Sequence, residues 1–172
     1  MASMGAEVRW LTAEEQAAWR AYLRGTREVD VALDRDLQCH GVSLSEYELL
    51  SMLSESDGHR MRMSALADLV VQSRSRVTHT AARLERRGLV TRSPAPDDGR
   101  GVLLRLTDAG RTTIEDLART HVASVRRHLV DVLTPEQFTA LGDAMSAVRD
   151  AYRDDPTTPD PASCPPDPTM EP

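Results

Sequence analysis

Apolar residues recur at three- and four-residue steps between Thr12 and Gln38, where Trp19, Tyr22, Leu23, Val29, Leu33 and Leu37 mark one stripe of an amphipathic helix. Thr12 and Glu15 have the spacing of a capping box, and Gly41 lies just past the other end, where a left-handed turn costs a glycine little. Ser43 and Glu46 repeat the box ahead of Tyr47, Leu50 and Leu53, and Asp57-Gly58 closes that second helix. A short third helix fits residues 64–70, and a fourth fits 74–87 between Ser73 and Gly88. Two extended pieces, 89–92 and 102–106, then flank the turn-rich SPAPDDGRG. Helicity resumes after Thr107 and runs to about residue 133, with Ile114, Leu117, Val125, Leu129 and Val132 on one stripe. The last start is sharply marked: Thr134 caps, Pro135 takes the first helical position and Gln137 the third, ahead of Phe138, Leu141, Met145, Val148 and Tyr152.

This order predicts a mainly α fold, a winged helix-turn-helix with a small β-hairpin wing between long terminal helices. The apolar stripes at both ends exceed what the central motif needs, which points to a helical homodimer interface. The expected layout is a single domain over 10–153, with dimerisation helices at about 10–42 and 107–153 and the winged helix-turn-helix at about 43–106. Seven of the ten prolines fall in the last nineteen residues, so 154–172 is expected to be a disordered proline-rich tail.

A chain of 172 residues is long enough for one domain, and with only 3% aromatic residues its core must come from Leu, Val, Ala and Met. No apolar run approaches the ~20 residues that span a membrane, and the N-terminus lacks the order of a secretory signal; no membrane partner and a cytoplasmic location are expected. The two cysteines, Cys39 and Cys164, suggest neither a disulfide framework nor a metal site.

Charge alters the picture more than composition does. The net charge of −6 conceals a basic centre: residues 59–105 carry ten arginines against four acidic residues, between flanks in which acids outnumber bases. Every basic side chain is arginine, whose guanidinium suits phosphate and guanine edges. A wheel centred on Val77 places Ala81 and Leu84 on a core side and turns Ser75, His79, Ala82 and Arg86 outward, flanked by Arg76, Thr78 and Arg83. Short side chains, base-edge donors and phosphate-reaching arginines are what a groove-reading helix needs. The candidate DNA contacts are therefore Ser73, Arg74, Ser75, Arg76, Thr78, His79 and Arg83, the alternative being a solvated arginine-rich face. Two glycines at Asp97-Asp98-Gly99-Arg100-Gly101 permit a tight tip that projects Arg100 toward a minor groove, or else into a surface ion pair.

The segment MRMSALADLVVQSRSRVTHTAARLERRGLVTRSPAPDDGRGVLLRLTDAG resembles the MarR family of bacterial transcriptional regulators, and the resemblance extends over about residues 10–152. It implies that residues 63–70 support a recognition helix at 73–88, that Asp98 holds the wing while Arg100 approaches the minor groove, and that 107–110 lead back into a dimerisation helix. It further implies a homodimer on an approximately palindromic double-stranded operator, acting as a repressor in many relatives and releasing DNA when a small molecule or an oxidant shifts the two lobes.

The same resemblance places a ligand pocket near Trp19, Tyr22 and Tyr47, suited to a small aromatic or phenolic effector; core or interface packing is the other reading of these side chains. Peroxide-sensing relatives carry their cysteine earlier in the first helix, which argues against the role for Cys39, although a redox-responsive regulator stays an alternative. His40, His59, His121 and His128 form no compact ligand pattern. No phosphate loop, nucleophile elbow or metalloprotease motif is present, so neither an enzyme nor a cofactor is expected. The remaining alternative is a winged-helix protein-interaction module.

Overall fold

The computed structural model describes residues 8–95 and 98–154, with the backbone alone at 98–100, 153 and 154. The proline-rich segment and Cys164 lie outside the described residues, as does the Arg100 side chain. In chain order the elements are α1 (Ala13–Gln38), α2 (Leu44–Glu55), β1 (Arg60–Arg62), α3 (Met63–Leu69), α4 (Arg74–Arg86), β2 (Val90–Ala95), β3 (Asp98–Leu106), α5 (Asp108–His128) and α6 (Pro135–Asp154). They form two compact units that meet in sequence between Leu129 and Val130.

Local chemistry accounts for the helix starts. Thr12 Oγ1 accepts from the Glu15 amide at 3.2 Å while the Glu15 carboxylate accepts from the Thr12 amide at 2.8 Å, and Ser43 with Glu46 repeats the exchange ahead of α2. At the ends, Gly41 (φ 74°) adopts the left-handed turn foreseen for it, and Gly88 (φ 72°), expected to end the fourth helix, adopts one as well.

In the first unit Leu37, Leu50, Leu53, Leu66, Val77, Leu84 and Leu104 close a core with Ile114 and Leu117 of α5. Only the C-terminal part of α1 joins it, through Leu33 and Leu37. Before Leu33 the helix is exposed apart from half-buried Leu23, Val29 and Ala32, and Trp19 and Tyr22 stack on each other at 5.8 Å.

The sheet departs from the expected hairpin. It has three antiparallel strands in the order β1-β3-β2, with Met61 opposite Leu104. Arg60–Arg62 is too short to show alternation and is recruited by pairing with a distant strand. β2 also continues through Pro94 beyond the expected stop, because an edge strand tolerates the missing N–H; the register shifts between Pro94 and Ala95.

The helix after Thr107 is shorter than the stripe suggests. Leu129 (φ −136°, ψ −63°) ends α5, and Val130–Val132 form a 3-10 turn. Two β-branched valines bracketing Asp131 disfavour continuation. At its start, Thr107 shares its hydroxyl proton between the Gly88 and Leu89 carbonyls, at 2.7 and 3.0 Å, and accepts from the Gly110 amide at 3.0 Å.

α1 and α5 are joined by a polar knot. The Ser124 hydroxyl donates to Asp36 Oδ2 at 2.6 Å, and His128 Nε2 and Arg127 lie 3.2 and 3.7 Å from the same oxygen. The Ser124 bond above all, then His128 and Arg127, holds the Asp36 carboxyl below its usual value against the opposing effect of burial. A carboxyl depressed by folding stabilises above its unfolded pKa, about 4, and loses that contribution as pH falls through the lower folded value. Asp36→Asn is therefore expected to flatten the acid limb of a plot of melting temperature against pH; an unaltered limb below about pH 4 would remove Asp36 from the acid response.

Candidate nucleic-acid interface

α4 is held from behind and open in front. Val77, Thr80, Ala81 and Leu84 are buried, whereas Arg74, Ser75, Arg76, Thr78, His79 and Arg86 are exposed; of the positions that the wheel turns outward, Ala82 alone is half-buried. Ser73 is the N-cap, its Oγ accepting from the Arg76 amide at 3.3 Å. The Thr78 hydroxyl donates back to the Arg74 carbonyl at 2.8 Å, leaving its lone pairs outward. Val71 sits at φ 50° in the turn between α3 and α4, a strained conformation for a β-branched residue.

A cleft of about 430 Å³ runs along this face, with Ser43 and Ser45 from the start of α2 opposite Ser75, Arg76, His79 and Arg83 of α4. The two α2 serines are absent from the sequence-based set. Ser43 is legible only as a cap, and the meeting of α2 with α4 depends on tertiary packing.

Between the two helices Glu46 is only 6% exposed. Its Oε1 accepts from Arg83 Nε at 3.2 Å, and its Oε2 accepts from the Ser43 amide at 3.0 Å and from Arg87 Nη1 at 3.4 Å. Burial pushes this carboxyl up, but the Ser43 amide and Arg83 outweigh it and leave the pKa below its ordinary value. Arg83 also donates through Nη2 to Thr80 Oγ1 at 3.4 Å.

On the wing, the backbone of Arg100 lies in β3. Its side chain is outside the described residues, so the structure gives no contact for it.

Of the three candidate ligand residues, Tyr47 lines a cavity of about 410 Å³, together with Asp30, Leu33, Glu48, Met52 and His121. Trp19 and Tyr22 are exposed on the first half of α1 and do not line it. The Tyr47 and His121 rings lie 4.2 Å apart, and burial holds the His121 imidazole below its usual pKa. Gln72 Nε2 donates to Glu48 at 2.9 Å; burial and then Asp30 push that carboxyl up, against Arg76 and Gln72. Cys39 is exposed, its thiol donating to the Arg35 carbonyl at 3.4 Å.

Residues 40–101, which contain the helix-turn-helix and the start of the wing, match the MarR family model. The fold superposes on AbsC, a MarR family transcriptional regulator from Streptomyces coelicolor, with a TM-score of 0.78 and 44% identity over 85% of this chain and 99% of AbsC. The chain belongs to the MarR family. A second S. coelicolor member, Sco3205, solved in complex with DNA, is 42% identical, with a TM-score of 0.80 over 86% of this chain and 92% of that one. The HTH-type transcriptional regulator YdgJ of Bacillus subtilis (strain 168) is 33% identical over 111 residues, 64% of this chain and just 66% of its own length.

As a MarR family transcriptional regulator the protein carries a winged helix and falls in a DNA-binding class, and its homologues are transcriptional regulators rather than enzymes. Among the described residues no helix is long and apolar enough to cross a membrane.

Proposed function

We propose that this MarR family regulator is a homodimeric repressor that reads an approximately palindromic operator and releases it on binding a small aromatic or phenolic effector. The observation that carries the reading is the exposed α4 face, where Ser75, Arg76, His79 and Arg83 share a cleft with the start of α2 in a chain 42% identical to a relative solved on DNA. Arg74, Arg76 and Arg83 supply phosphate and base-edge donors, Ser75, Thr78 and His79 approach the bases, Ser73 sets the helix start, and Arg100 reaches the minor groove from the wing. Two such helices about one turn of DNA apart would impose two-fold symmetry on the site.

Dimerisation draws support from apolar side chains that each unit leaves exposed: Trp10, Trp19 and Tyr22 in the first, Phe138, Met145, Val148 and Tyr152 in the second. They support a reading in which the terminal helices, about 10–42 and 107–153, serve dimerisation within a single MarR-like domain. The Tyr47 cavity supports the effector, since an aromatic ring and an apolar wall beside a few polar groups suit a small planar molecule. The exposed Trp19–Tyr22 stack fits a subunit contact better than a ligand contact.

Selecting duplexes from a random library and titrating the winner by fluorescence anisotropy tests the reading. A two-fold symmetric sequence bound by one dimer, with affinity falling as salt rises, is expected; no enrichment by folded protein would refute it. Arg76→Ala should weaken that duplex by about tenfold and reduce the salt slope by about one. Equal affinity for variant and parent at every salt concentration would strike Arg76 from the interface.

A further inference from the structure

Glu46 does more than cap α2. Glu15 occupies the same place in the capping box of α1, yet its side chain is 44% exposed and its other partner is the exposed Arg9. The motif therefore requires neither burial nor arginines from afar. The Glu46 side chain is 8% exposed and holds Arg83 and Arg87, residues 37 and 41 positions along the chain. A buried carboxylate persists only when its oxygens are well partnered, and here the partners tie α2 to the C-terminal end of α4. The consequence falls on Arg83. Bonds from Nε to Glu46 and from Nη2 to Thr80 fix the plane of a guanidinium that would otherwise sample many rotamers, and the half-exposed group lines the cleft. Ordering the side chain before DNA arrives removes an entropic cost of binding.

Resting on the reading of α4 as the DNA-contacting helix, we propose that Glu46 is a positioning residue for sequence discrimination, presenting the Arg83 guanidinium in one fixed orientation to the operator. Two opposed effects follow from Glu46→Gln. Loss of the negative charge leaves two arginines less neutralised and raises general attraction to phosphates, while loss of the fixed geometry weakens the specific fit. Positioning predicts that the two separate.

The test is anisotropy of the intact protein on the duplex selected by the parent chain and on a scrambled duplex of equal length. Glu46→Gln should lower affinity for the selected duplex about tenfold and leave the scrambled duplex bound as well as or better than by the parent. In an Arg83→Ala background the substitution should cost nothing further, because its effect passes through Arg83. Parallel loss on both duplexes with a lowered melting temperature would make Glu46 merely structural, and parallel gain would make it merely a charge; either overturns the proposal. Glu46→Asp, which keeps the charge but withdraws it by one methylene, should reproduce the loss of discrimination if the glutamine variant fails to fold. If the parent chain does not distinguish the duplexes and Arg76→Ala alters neither, the DNA-reading assignment of α4 falls. If Arg76→Ala weakens the selected duplex and Glu46→Gln does not, the positioning role alone falls.

Discussion

Gly110→Ala is expected to cost about 3 kcal/mol of stability, at the upper end of overpacking effects, although the same exchange in an open helix position stabilises by about 1 kcal/mol. The sign reverses because a Cβ at Gly110 would stand 2.1 Å from the Leu89 carbonyl oxygen and 2.8 Å from Leu106 Cδ1. The leucine methyl can move aside. The carbonyl cannot, since it accepts from the Thr107 amide and shares the Thr107 hydroxyl, both at 3.0 Å. Relief requires the start of α5 to lift off the sheet. Gly142 of α6 supplies the control: among the described residues of the chain nothing lies within 4 Å of a Cβ there, so within the subunit Gly142→Ala should be neutral or stabilising. Urea denaturation of the two variants decides the matter, and equal midpoints would show that α5 moves aside without strain.

Leu84→Ala is expected to cost about 3 to 4 kcal/mol, within the range for fully buried leucines. Leu84 is completely buried on the inner side of α4, in the cluster that contains Leu50, Leu66 and Leu104. It is next in sequence to Arg83, so the two neighbours separate anchoring from the recognition proposed for Arg83. Truncation leaves a void behind the helix and should lower the urea midpoint and the affinity for the selected duplex together. Leu84→Met, which nearly conserves volume, should cost less than about 1.5 kcal/mol and bind as the parent does. A Leu84→Ala chain with parental stability would mean that the core closes over the gap.

The difference between what the sequence discloses and what it conceals follows the range of the interactions. Thr12 with Glu15, Ser43 with Glu46, and Ser73 act within a few residues, so the helix starts are legible to within a position or two. The outward face of α4 is legible for the same reason: one buried stripe through Val77, Ala81 and Leu84 leaves one side for solvent. β1 is not, because three residues acquire strand geometry only by pairing with β3, more than forty positions later. Nor is the cleft partnership of Ser43 and Ser45, or the second duty of Glu46, whose partners lie on another helix. The α1 stripe is legible as a stripe, but periodicity does not say what covers it. Leu33 and Leu37 face this chain's own core, whereas Trp19 and Tyr22 do not.

The Leu89 carbonyl joins parts of the molecule that the chain keeps apart. It lies at the foot of the wing, yet its hydrogen-bond donors belong to the residue that opens α5, and Gly110 is bare so that the helix can sit against it. The wing base and the head of α5 therefore behave as a welded joint rather than a hinge. A rotation of the head of α5 would therefore be expected to carry the wing base with it. Amide exchange at Thr107 and Gly110 should accordingly report a single opening event.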